Sequence, residues 1–164
     1  MLSNPDFNEG MGMDIHVRTK PRYEYSYIEA AAIRIGNDVL EVGSWGDYFF
    51  NGVNGGDLPA VMGGKYSVKH VPINKKNHEF IITITEAVEE TILVKSYKDL
   101  VSVTFKNATF TNFANSQGLM GNYVTGDRLS RNGILLNDDT HFGQVRRQKH
   151  LVHASKACVL TNLL

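Results

Sequence analysis

Residues 78–105 read HEFIITITEAVEETILVKSYKDLVSVTF. Three apolar runs of strand length are separated by two polar stretches, one holding Glu86, Glu89 and Glu90, the other Tyr97, Lys98 and Asp99. Within the runs the period is two. Phe80, Ile82 and Ile84 share one face, and Val101, Val103 and Phe105 share another. Runs rich in β-branched and aromatic residues, bounded by turn residues, predict a three-stranded antiparallel meander.

The same period extends upstream. In KYSVKHV, Tyr66, Val68 and His70 alternate with Ser67 and Lys69. Residues 72–77 read as a polar, basic loop. Asn51-Gly52 is the strongest two-residue turn signal in the chain, and the GND at residues 36–38 is a second hairpin signal. Before it, YEYSYIEAAAIRIG places Tyr23, Tyr25 and Tyr27 on one face. Its Ala run could be helical in isolation, but the aromatic and β-branched flanks favour one long strand. MDIHVRT alternates Met13, Ile15 and Val17 with Asp14, His16 and Arg18. Eight or nine short strands at regular spacing predict an all-β fold, an antiparallel β-sandwich or bent meander sheet. After residue 144 the pattern changes. VRRQKHLVHASKACVLTNLL lacks turn residues, and its Arg146, Arg147, Lys149 and Lys156 are opposed by no carboxylate. We read 1–144 as the β domain and 145–164 as a basic tail, irregular or weakly helical, which is either a terminal helix or sequence foreign to the domain.

Bulk properties narrow the function. A chain of 164 residues with 42% hydrophobic and 21% charged residues suits one globular domain. Acidic and basic residues balance at 17 each, which argues against a general nucleic-acid binder. No apolar run is long enough to span a membrane, and MLSNPDFNEGMG lacks the apolar core of a signal peptide. Cys158 is the single cysteine, so no intrachain disulfide forms and a bridge to another chain is the most it can offer. Asn107-Ala108-Thr109 is a glycosylation sequon only if the chain enters a secretory path.

Catalytic signatures are sparse. His16 and His70 lie on strands beside polar neighbours and read as rim or solvent-face residues. His150 and His153 would share a helix face but lack a further ligand for zinc. His141 follows Asp138-Asp139 in an acidic turn. No nucleophile elbow or phosphate-binding loop occurs, and Glu86, Glu89 and Glu90 fall in a turn. In QGLMGNYVTGD, residues 117–127, Asn122 and Asp127 supply two side-chain oxygens, and Gly121 and Gly126 let the backbone curl. That is few ligands for calcium, which takes several. The competing reading is that both side chains satisfy turn backbone groups.

Taken in order, IRIGNDVLEVG, FFNGV, Asp57-Leu58-Pro59, SYKDLVSVTF and QGLMGNY resemble the von Willebrand factor type D domain, over about residues 10–144. That family carries a CGLCGNY-like segment followed by an acidic loop. The chain departs from the pattern in several places. Gln117 and Met120 stand where the family has cysteines. Val124 stands at an acidic ligand position, and Leu129 and Ser130 at later ones. The opening GDPHxxTxDG stretch has no counterpart. The chain is therefore expected to begin inside the domain, with the first strands missing and a sheet edge left open to pairing. The resemblance implies an extracellular or cell-surface module without enzymatic activity, acting in adhesion, matrix assembly or protein–protein interaction as part of a longer secreted protein. Its partners would be other proteins or matrix components, or a second copy through the open edge. It implies no cofactor beyond weak calcium at Asn122 and Asp127. The alternative is a small all-β ligand-binding protein or enzyme with Asp14, His16 or His70 in a pocket.

Overall fold

The computed structural model describes residues 2–22, 25–129 and 134–135, the side chains of Arg22 and Tyr25 excepted. The tail at 145–164, with Cys158, His150 and His153, lies outside the described residues, as do Tyr23, Asp138, Asp139 and His141.

Among the described residues, eleven strands form two antiparallel sheets, each a meander in chain order. The first contains β1 (Leu2–Asn4), β2 (Met13–Arg22), β3 (Tyr25–Ile35), β4 (Asp38–Gly43), β5 (Tyr48–Phe50) and β6 (Val53–Asn54). The second contains β7 (Ala60–Met62), β8 (Tyr66–Asn74), β9 (Asn77–Thr85), β10 (Glu90–Ser96) and β11 (Val101–Lys106). The all-β sandwich expected from the period of two is what folds. The Ala run lies inside β3, where Ala30, Ala31 and Ala32 pair with Gly43, Val42 and Glu41. Asn51 and Gly52 both have positive φ, 50° and 82°, as a primed hairpin turn requires.

Alternation decides which side chains meet between the sheets. Met13, Ile15, Ile33, Ile35, Leu40 and Val42 face inward from the first sheet, and Tyr66, Val68, Phe80, Ile82, Ile92 and Val94 from the second, all buried. Val103 and Phe105 pack against this core half-buried. Fully burying a Phe or Ile side chain contributes about 1.5–3 kcal/mol, so this interleaved layer is the main source of stability.

Two sequence expectations change. The polar stretch at 72–77 is not a loop: β8 runs through Pro72 to Asn74, and Pro72 pairs with His78. The proline is tolerated because β7 pairs only with Tyr66, Ser67 and Val68, so β8 is an outer strand at Pro72 and owes no ladder N–H there. The polar N-terminal residues also join the fold. Leu2 sits in β1, and Phe7, which opens the short helix α1 (Phe7–Gly10), is 1% exposed, with its ring 5.2 Å from that of Tyr66 and 6.5 Å from Phe113. On the outward side of β1, Ser3 exchanges two backbone hydrogen bonds with Gln117, of 2.9 and 2.8 Å, so this edge is covered at that point.

Glu90, expected in a turn, starts β10 and is 1% exposed. Its carboxylate accepts from the Thr109 N–H at 2.6 Å, the Asn112 Nδ2 at 2.6 Å and the Thr85 hydroxyl at 3.0 Å. The short helix α2 (Phe110–Phe113) is thereby fixed to the β9–β10 hairpin. Removing a buried acceptor strands its donors. Glu90→Ala is therefore expected to cost about 3 kcal/mol of unfolding free energy by urea denaturation, and Glu90→Gln clearly less, because an amide oxygen keeps part of the acceptor set.

Candidate functional site

The loop at 117–127 is a built turn. Gly118, Gly121 and Gly126 have φ of 122°, 91° and 76°. A Cβ on Gly121 would lie 3.0 Å from the Gly126 carbonyl, so that position needs glycine on both counts. Asn122 N donates to Asp127 O at 2.8 Å, and Gly126 N to Asn122 O at 2.9 Å. The Asn122 side chain closes the turn from within. Its Oδ1 accepts from Val124 N at 2.8 Å and Thr125 N at 3.0 Å, and its Nδ2 donates to Ser116 O at 3.1 Å. Asp127 Oδ2 accepts from the Thr125 hydroxyl at 2.7 Å. Two backbone N–H groups aimed at Asn122 Oδ1 make a positive local field, the opposite of what a cation needs. The two candidate ligands thus meet through the backbone of one turn, with their side-chain oxygens bonded to different donors.

The candidate histidines are not brought together. His16 lies on the face of the first sheet turned away from the core, where the register aligns it with Ala32 and, across Ala32, Glu41. Expected at a rim, it is only 8% exposed, and its Nε2 has no hydrogen-bond partner among the described residues. Burial pushes its pKa down to about 4, with the nearby Asp14 carboxylate opposing the shift. Asp14 itself is committed elsewhere. It accepts from the Ser3 hydroxyl at 2.6 Å and from the Arg34 guanidinium, whose Nε lies 2.9 Å away. Burial alone would raise the Asp14 carboxyl, but the Ser3 and Arg34 bonds outweigh it and hold the carboxyl below its ordinary value.

His70 lies on the core side of the second sheet, at the end of the sandwich. Its Nε2 is 3.0 Å from Nδ1 of His78, and its ring stacks on Phe80 with centroids 4.5 Å apart and planes 3° apart. Tyr48 from β5 closes against both His70 and Phe80, at 5.2 and 5.1 Å. Burial, followed by the charge of His78, lowers the His70 pKa. A 3₁₀ turn, η1 (Ser44–Gly46), presses on His78: a Cβ at Gly46, where φ is +77°, would fall 2.4 Å from the imidazole. The sequence signal for this pair was faint, because His70 and His78 face each other only once the β8–β9 register is set.

Of the tyrosine face, Tyr27 is exposed. At Asn107, the Nδ2 that glycosylation would modify donates to Val88 O at 3.0 Å. Among the described residues no group of three or more His, Cys, Asp or Glu side chains is placed to hold a metal ion. No helix among them is long and apolar enough to cross a membrane. No family model matches the chain, and no curated protein matches it.

Two outcomes follow. A histidine with a depressed folded pKa takes up its proton more readily unfolded, so unfolding gains protons as pH falls. Its contribution is complete above pH 6.5 and is lost between 6.5 and about 4 for His16. That loss is about 3 kcal/mol for His16, with His70 adding in the same direction. Denaturation midpoints measured across this range should fall steeply, and His16→Leu should flatten the slope. Separately, Asn122→Ala is expected to cost about 1–2 kcal/mol, equally with millimolar calcium and with chelator. A loss seen only with calcium present would instead make Asn122 a ligand.

Proposed function

We propose that the chain is a non-catalytic extracellular module of the von Willebrand factor type D kind, serving adhesion, matrix assembly or other protein–protein contact. The observation that carries this reading is the segment QGLMGNY, standing in that family's order after SYKDLVSVTF and folded as a glycine-dependent turn on an antiparallel sandwich. At Gln117, where the family has a cysteine, the backbone pairs with Ser3. Hydrogen bonds here do the tethering that a disulfide would do in relatives. Calcium, on this reading, binds weakly at Asp127 and is not what holds the loop. Self-association would use β11, which among the described residues is paired only by β10.

The second reading, a ligand-binding protein or enzyme, is favoured by the buried His16 Nε2, a polar atom with no hydrogen-bond partner among the described residues. One experiment separates the two. The chain, secreted behind a leader sequence, is presented to immobilised purified matrix and cell-surface proteins. Saturable micromolar or tighter binding to at least one, insensitive to chelator and to His16→Ala, is the expected result. No binding to any of them, together with turnover of an ester, glycoside or phosphate substrate that His16→Ala abolishes, would establish the second reading.

A further inference from the structure

A cleft of about 470 Å³ opens at the end of the second sheet, between the β8–β9 hairpin and the β10–β11 turn. Its walls carry Asn74, Lys76, Asn77, Tyr97, Lys98 and Asp99. The volume falls in the range of small-molecule sites.

The walls are held by their own hydrogen bonds. Asn74 Oδ1 accepts from Lys76 N at 2.9 Å and Asn77 N at 3.0 Å, which fixes the hairpin tip. The carboxamide N–H donors of Asn74 have no partner among the described residues. Tyr97 N donates to Leu100 O, and Tyr97 O accepts from Trp45 N, both at 2.8 Å. Trp45 does not line the cleft but adjoins it through Tyr97 and Lys98; it is 46% exposed, in a left-handed backbone conformation with φ of 63°. It is fixed there because Gly46 N bonds the buried Ser96 hydroxyl at 2.8 Å.

The chemistry of these groups selects a ligand class. Lys76 has no acidic partner among the described residues, and the Lys98 ammonium lies 5.8 Å from the Trp45 ring centroid, so two cations border one opening. They would attract a carboxylate or sulfate. Asp99 shares the wall and would repel a bare inorganic anion, but a carboxylate is a good acceptor for hydroxyl groups. Tyr97, and the face of Trp45 that Lys98 does not cover, offer aromatic surface suited to the apolar face of a sugar ring. Asn74 and Asn77 add neutral amides, suited to hydroxyl and acetamido groups. With the whole chain at net zero charge, this local mixture is not the extended basic track that nucleic acid requires.

We propose that this cleft is a binding site for an acidic saccharide, with Lys76 and Lys98 taking the anionic group, Asn74 and Asn77 the hydroxyls, and Tyr97 with Trp45 the ring face. The site shares Tyr97, Lys98 and Asp99 with the SYKDLVSVTF segment of the module reading, but saccharide binding neither requires that reading nor follows from it.

Trp45 is the only tryptophan in the chain, so its intrinsic emission reports on this rim alone. The probe is a chondroitin sulfate disaccharide, titrated against the full chain by fluorescence and by calorimetry. The expected result is a saturable change in emission with matching heat. Lys76→Ala, an exposed position whose loss leaves the fold intact by circular dichroism, weakens binding about tenfold. Neutral N-acetyllactosamine and an oligoglutamate peptide bind much more weakly. Absence of saturable binding by both methods would overturn the proposal. So would equal binding of the neutral sugar or the acidic peptide, or an affinity unchanged by Lys76→Ala.

Discussion

Strand β10 carries a fully buried polar group at each end, and the arrangement of both ends of the sandwich depends on them. At its last residue, Ser96 is 0% exposed, and its hydroxyl donates to Gly43 O at 2.7 Å while accepting from Gly46 N at 2.8 Å. Those two bonds join the sheets across the core. A buried hydroxyl without them would cost on the order of 1–3 kcal/mol, so the bonds select one placement of η1 over the β9–β10 face. From that placement come the position of Trp45, the pressure of Gly46 on His78 and the rim of the cleft. At the first residue, Glu90 does the same for α2, drawing Thr109 and Asn112 onto the hairpin. The apolar layer between the sheets supplies stability. These two polar groups supply orientation, because a hydrogen bond has direction and apolar contact does not.

The polar residues on the faces follow from alternation combined with neighbours. Asp14 and His16 share a face of β2, yet their environments differ. Asp14 reaches Ser3 and Arg34 and stays ionised, whereas His16 meets Ala32 across the ladder and is left neutral. Across the sandwich, His70 is neutralised by a different neighbourhood of stacked rings. Both histidines therefore make folding proton-sensitive in the same direction, although they lie in different sheets and share no contact that would make them one site.

The loop at 117–127 shows how one sequence feature can serve two purposes. Its glycines are those on which the proposed resemblance rests. Here the same backbone closes on itself through Asn122, and its first residue completes the edge at β1. The oxygen that could face an ion faces two N–H groups, because a short turn with an asparagine has unpaired donors of its own to satisfy first.

The sequence alone determined most of the strands. Phe80, Ile82 and Ile84, the Ala run held in β3 by its flanks, and Asn51-Gly52 were legible because a period of two and a positive-φ turn are local properties of the chain. Candidate residues were legible as types, and the cleft only as scattered lysines and amides. What needed the tertiary structure was every property that depends on a partner far along the chain: the burial of Glu90 and His16, the meeting of His70 with His78, Phe7 packing on Tyr66, and Pro72 within a strand. Strand formation is set by neighbours in sequence. Burial and pairing are set by register between strands and by the joining of two sheets, and no stretch of sequence carries that register by itself.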